Sequence, residues 1–188
     1  MKIMIASDIH GSAKYCRELL EAFRREKAEK LVLLGDILYH GPRNDLPEEY
    51  APKSVIEQLN AVKDSLLCVR GNCDTEVDQM VLEFPILADY AWLYVGGCTV
   101  FITHGHGYGE ENLPPLKKGS VLLQGHTHIP RCVDKDGVLC VNPGSVSIPK
   151  ENSPHSYLIM TESELIWKDL AGTIFNQRYH RGDCRCGN

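Results

Sequence analysis

The first seventy residues alternate short apolar runs with segments of helical periodicity, and each run stops at a glycine flanked by polar side chains. KIMIAS ends at Asp8-Ile9-His10-Gly11, Leu31 to Leu34 at Gly35-Asp36, and Leu66 to Val69 at Arg70-Gly71-Asn72. Short apolar runs with such punctuation predict buried strands. Between them, Ser12 is placed to cap a helix carrying Cys16, Leu19, Leu20 and Phe23 at helical spacing. Pro52 opens another, with Val55, Ile56, Leu59 and Val62 on one face. Strands separated by helices predict parallel βα units, whose chemistry gathers beyond the carboxyl ends of the strands.

From Trp92 onward strand patterns dominate. Gly96-Gly97 and Asp136-Gly137 are hairpin turns, and Asn142 to Ser145 form a tight turn. Val100 to Thr103 ends at His104-Gly105-His106, and Val121 to Leu123 at Gly125-His126-Thr127-His128. Ser156 to Thr161 and Leu165 to Leu170 are further short strands. No linker divides the chain. The expectation is an α/β fold in one domain over residues 1–179, each half supplying one of two facing sheets with helices outside. Residues 180–188, which lack apolar periodicity, are expected to form a flexible tail.

With 43% hydrophobic residues in 188, the chain can build a substantial core, and no apolar run approaches the ~20 residues of a membrane span. The N-terminus carries no signal-like apolar region, so a cytoplasmic protein is expected. The net charge of -5, without blocks of like charge, offers no nucleic-acid footprint. Of eight cysteines, Cys16, Cys68, Cys98, Cys132 and Cys140 lie inside helix or strand patterns, which fits reduced, buried thiols. Cys184 and Cys186 are a weak metal or disulfide signal without further ligands.

Five strand ends therefore carry Asp8 and His10, Asp36, Asn72, His104, then His126 and His128. Each such group alone is ordinary turn chemistry. Together, on one rim, they offer oxygen and nitrogen donors suited to borderline divalent metals, with glycines that let the backbone come close.

The segments DIHG, GD, GNCD, THGH and GHTH resemble the five-block signature of calcineurin-like metallophosphoesterases, D-x-H, G-D, G-N-H-[DE], G-H and G-H-x-H. With HGPRN and NPGSVSIP added, the chain is similar to small bacterial YfcE-like phosphodiesterases. The resemblance implies a four-layer αββα sandwich of two mixed sheets between helices. It also implies two divalent metal ions, one held by Asp8, His10, Asp36 and His128, the other by Asp36, Asn72, His104 and His126. Manganese is the expected metal, with zinc, iron, nickel and cobalt compatible with the donors. A water bridging the pair would supply hydroxide to attack phosphorus. A homo-oligomer is implied by the resemblance alone.

The third block departs from the pattern, because Cys73 stands where the family has histidine. An imidazolium is a charged donor near neutral pH, whereas a thiol at ~8.5 is a weak neutral one. Asp74, if ionised, would raise the thiol pKa and the metals would lower it. Cys73 is thus a weak polar contact or a space filler rather than a ligand, and it and Asp74 join Asp36, Asn72 and Arg43 as candidate catalytic residues. A site lacking that imidazolium should favour monoanionic diesters over dianionic monoesters. The expected function is metal-dependent hydrolysis of a small-molecule phosphodiester (a phosphoric diester hydrolase). The alternatives are a phosphomonoesterase, or a feeble or inactive scaffold on the same fold. Arg43 and Asn44 are candidate substrate contacts. His40 is a supporting or surface residue, Arg70 a structural one, and His106 either orients a ligand or is an ordinary loop histidine. His155 and His180 are expected at the surface.

Overall fold

The computed structural model describes residues 1–180. Most of the expected tail, with Cys184 and Cys186, lies outside the described residues. The chain forms β1 (Ile3–Ala6), α1 (Ala13–Glu26), β2 (Lys30–Leu33), α2 (Pro52–Asn60), β3 (Leu66–Cys68) and the single turn α3 (Glu76–Gln79). It continues with β4 (Tyr90–Val95), β5 (Cys98–Thr103), β6 (Val121–Leu123), β7 (Arg131–Lys135), β8 (Val138–Asn142), β9 (Ser156–Met160), β10 (Glu164–Asp169) and β11 (Ile174–Tyr179).

Two mixed sheets result, ordered β11-β10-β9-β1-β2-β3 and β4-β5-β6-β8-β7. The β1/β2, β2/β3, β5/β6 and β6/β8 pairs are parallel. Alternation along the strands divides the core. Ile3, Ile5, Val32, Val100, Ile102 and Trp167 meet between the sheets, whereas Met4, Ala6, Leu31 and Leu33 turn outward onto Leu19, Phe23, Val55 and Leu59 of the helices. Both faces of β1 and β2 are buried, which is why they read as unbroken apolar runs. The helices gather on the first sheet. On the outer face of the second, Phe101, Leu122 and Cys140 are packed by Leu113 and Leu116 of a loop.

One expectation is corrected here. The C-terminal strands do not stay with the second half. β9 returns to pair antiparallel with β1, and β10 and β11 extend that first sheet. β11, absent from the sequence reading, is an edge strand whose six residues are all exposed, so it carries no inward apolar set.

Local chemistry explains the ends of α1. Ser12 caps it, its Oγ accepting from Tyr15 N–H at 3.3 Å, and Lys27 closes it in a left-handed conformation with Arg24 and Arg25 in the last turn. At its last residue, Glu26 accepts from Lys2 Nζ and Lys168 Nζ at 2.6 Å each and from the Tyr157 hydroxyl at 3.0 Å. His180, expected at the surface, is instead buried, with Nε2 3.0 Å from the Thr161 carbonyl. His155 is half-buried and stacks on Tyr15 at 3.9 Å. Cys16, Cys68, Cys73, Cys132 and Cys140 are free thiols. Among the described residues no helix is long and apolar enough to cross a membrane.

Candidate metal centre

The loops leaving β1, β2, β3, β5 and β6, all members of parallel pairs, deliver their polar residues to one rim. They do so under strain. Asp8, His10, Asp36, His126 and His128 all have positive φ, between 49° and 66°, a region that L-residues seldom occupy. Two glycines allow the approach. A Cβ on Gly71 would stand 2.1 Å from Asp36 Oδ1, and one on Gly125 1.9 Å from Ser7 Oγ.

Three histidines have their tautomer set by the backbone. Nδ1–H of His10 donates to the Tyr39 carbonyl at 2.7 Å, that of His104 to Leu34 at 2.6 Å, and that of His128 to Ile148 at 2.6 Å. Each neutral ring then presents a bare Nε2 lone pair to the cleft. Those lone pairs face other acceptors. Nε2 of His10 and of His128 are 3.3 Å apart, His128 Nε2 is 3.4 Å from Asp8 Oδ1, and His104 Nε2 is 3.4 Å from Asp36 Oδ2 and 3.0 Å from Asn72 Oδ1. Asp8 Oδ1 is buried without a hydrogen-bond partner.

Acceptors crowded against acceptors require a positive charge between them. In the protein alone a proton takes that part. Burial disfavours the charged His104 ring, yet Asp36 and Asp8 outweigh it and raise its pKa to about 9. His10 is likewise raised against burial by Asp8, and the Asp8 and Asp36 carboxyls are held low by the histidines despite burial. Burial keeps His126 and His128 below the usual imidazole range. The donor set, carboxylate oxygens with imidazole nitrogens locked by outer hydrogen bonds, fits divalent metal ions. Ligand atoms of Asp8, His10 and His128 lie within 4.8 Å of one another, as do those of Asp8, Asp36 and His104.

His126 and Asn72 stand at the edge of this arrangement and line the cleft. The ring of His126 lies 5.1 Å from that of His104, and its backbone N–H donates to Asp8 Oδ2 at 3.2 Å. Cys73 comes closer than expected: its thiol joins His10 and Asp36 in a third group within 4.8 Å. Asn72 Nδ2 donates to Cys73 Sγ at 3.2 Å, which turns Asn72 Oδ1 toward His104. Burial, then Asp36 and only after it Asp74, pushes the Cys73 thiol up to about 12. Asp36 is therefore the main anion acting on the thiol, and Asp74 adds to it in the expected direction.

Asp74 is also not in the cleft. Its buried carboxylate accepts from the N–H groups of Gly71 at 2.7 Å, Asp36 at 2.8 Å and Ile37 at 2.9 Å, buckling two ligand loops together. Burial pushes this carboxyl up, with those donors opposing. Arg43 and Asn44 line the cleft of about 450 Å³, joined by Lys150, which the sequence reading missed although it directly follows NPGSVSIP. His40 sits between Tyr39 and Tyr50, and His106 lines a separate hollow with Asp89 and Tyr108. Arg70 donates to the Asp74 carbonyl, a structural contact. Ser145 and Ser147 hydroxyls both donate to the Asp8 carbonyl at 3.0 Å, and the Trp167 indole holds Asn142 at 2.8 Å.

The comparisons agree with this architecture. Residues 1–164 match the calcineurin-like phosphoesterase superfamily domain. Phosphodiesterase YfcE of Escherichia coli strain K12 is 52% identical over 157 residues, covering 84% of this chain and 85% of that one. A solved structure of the E. coli phosphoesterase YfcE superposes with a TM-score of 0.93 at 47% identity, over 96% of this chain and 100% of the other. Phosphodiesterase MJ0936 of Methanocaldococcus jannaschii is 28% identical over 152 residues, covering 77% of this chain and 83% of that one. The chain belongs to the calcineurin-like phosphoesterase superfamily.

Proposed function

We propose that the protein is a metal-dependent phosphodiesterase, a phosphoric diester hydrolase, using two divalent ions. The observation that carries the reading is the convergence of bare Nε2 lone pairs on Asp8 and Asp36 with Asp8 Oδ1 left unpartnered. Asp8, His10, Asp36 and His128 would hold one ion, and Asp36, Asn72, His104 and His126 the other, with Asp36 shared. When bound, two such ions supply Lewis acidity toward phosphoryl oxygens and a hydroxide nucleophile at neutral pH. Manganese is put forward on the family resemblance, since the donors accept several metals. A homo-oligomer stays with the proposal on the same ground, and a cytoplasmic setting on the lack of a signal-like apolar region in the sequence.

The chain's own groups do the rest. Arg43 and Lys150 bring positive charge to the cleft and suit the phosphoryl oxygens, and Asn44, whose Nδ2 donates to the His40 carbonyl, fixes the loop that carries Arg43. Cys73 and Asn72 close the floor. With a neutral thiol where an imidazolium would stand, the cleft neutralises one phosphoryl charge better than two. The test is hydrolysis of bis(p-nitrophenyl) phosphate and p-nitrophenyl phosphate by metal-loaded protein, beside Asp36→Asn. The diester should turn over faster and the variant should lose activity. A faster monoester, or an undiminished variant, contradicts the reading.

A further inference from the structure

A second hollow of about 420 Å³ opens beside the metal cleft, lined by Leu38, Tyr39, Tyr50, Ile56, Val77 and Val81. Cys73 borders both spaces, so they meet at the thiol. Their chemistry differs. The cleft carries Arg43, Lys150 and the metal-site histidines, while the hollow has no cation, and its acidic member, Asp78, is tied to Thr75 N–H and Oγ at 2.7 and 2.8 Å. Tyr39 also connects the two through its backbone, because its carbonyl fixes the His10 ring.

We propose that this hollow is a substrate subsite that receives a flat, apolar ester group of the diester, an aryl or base-like ring. The proposal rests on the phosphodiesterase reading for the position of phosphorus in the cleft. Division of charge carries it: a phosphodiester has one anionic centre and two uncharged arms. The cationic cleft takes the first, and the neighbouring hollow, with two tyrosine rings and aliphatic walls, takes an arm. Cys73 at the junction is a small side chain that borders both spaces and leaves the passage between them open.

The test is binding rather than turnover. Calorimetric titration of zinc-loaded protein with methyl phenyl phosphate and with dimethyl phosphate compares one ring against one methyl on the same anion. The phenyl ester should bind about tenfold tighter, the worth of burying roughly half a phenyl ring's surface. Val77 and Val81 are 70% and 44% exposed, so Val77→Asn with Val81→Asn changes the wall without emptying the core or altering charge. In that variant the phenyl advantage should fall at least threefold while dimethyl phosphate binds within about twofold of the parent. Equal binding of the two esters by the parent overturns the proposal. So does an undiminished advantage in a variant of parental melting temperature, or a changed oligomeric state with the advantage intact. Absence of hydrolysis in the activity test, with the phenyl advantage present, would instead refute the phosphodiesterase reading and leave the hollow as a ring-binding site beside a phosphate-binding cleft.

Discussion

Replacing Asp74 by asparagine keeps the shape of the side chain and removes its ability to accept at both oxygens. Oδ2 takes the N–H groups of Asp36 and Gly71, and Oδ1 that of Ile37. An amide can place its one oxygen toward the first pair, which leaves its NH₂ facing the Ile37 N–H, donor against donor in a buried site. One charge-assisted hydrogen bond is lost and one buried N–H goes unpaired, together about 3 kcal/mol or more. For a chain of this size that corresponds to a fall of roughly 6–12 °C in Tm. Thermal unfolding of metal-stripped protein, followed by circular dichroism at pH 7, reads this without interference from metal binding. Asp78→Asn is the control, because Asp78 uses only Oδ2, toward Thr75, and one amide oxygen can replace it. A loss under about 0.5 kcal/mol is expected there. If Asp74→Asn melts within about 2 °C of the parent, the buckle between the β2 and β3 loops is not what holds Asp36 and Asn72 together.

Three further outcomes follow from named contacts. Burial alone would raise the Glu26 carboxyl, but Lys168, Lys2 and Tyr157 bring it down to about 2, below the unfolded value. Its stabilisation is therefore complete above the unfolded pKa of ~4.3 and lost as pH falls toward the folded one. Glu26→Gln should cost about 2–3 kcal/mol at pH 7, and urea titrations should show the gap closing between about pH 4.5 and 2. Gly125→Ala, whose Cβ would stand 1.9 Å from Ser7 Oγ and 3.0 Å from Asp8 Oδ2, should destabilise by about 1–3 kcal/mol in the same assay and lower metal affinity. Cys73→His should raise p-nitrophenyl phosphatase activity relative to the diesterase rate, and an unchanged ratio would remove Cys73 from the phosphoryl surroundings.

The candidate metal-site residues stood out in the sequence because each group of them ends an apolar run and has a glycine next to or within one residue of the group, and parallel strands bring such ends to one rim. Their orienting partners did not. The carbonyls of Leu34, Tyr39 and Ile148 belong to residues with no polar side chain at the contact, so nothing in their identity marks them. The left-handed backbone at His10, His126 and His128 was equally hidden, since it is imposed by the fold on residues that do not favour it. Sheet membership failed where pairing is remote. Residues 156–160 read as a strand, but only the packed fold places β9 beside β1, with Leu158 and Met160 in the core between the sheets. Asp74 does raise the Cys73 thiol, as its adjacency suggested, but its grip on the backbone N–H groups of two loops had no signal in the sequence.

The proposed phosphodiesterase activity depends on two metal ions at Asp8, Asp36 and the surrounding histidines. Its most direct test is the rate of bis(p-nitrophenyl) phosphate hydrolysis by stripped protein as manganese is added. No turnover is expected in chelator, and a rise that breaks at two equivalents per chain. Full activity in chelator, or none at any loading, would contradict it.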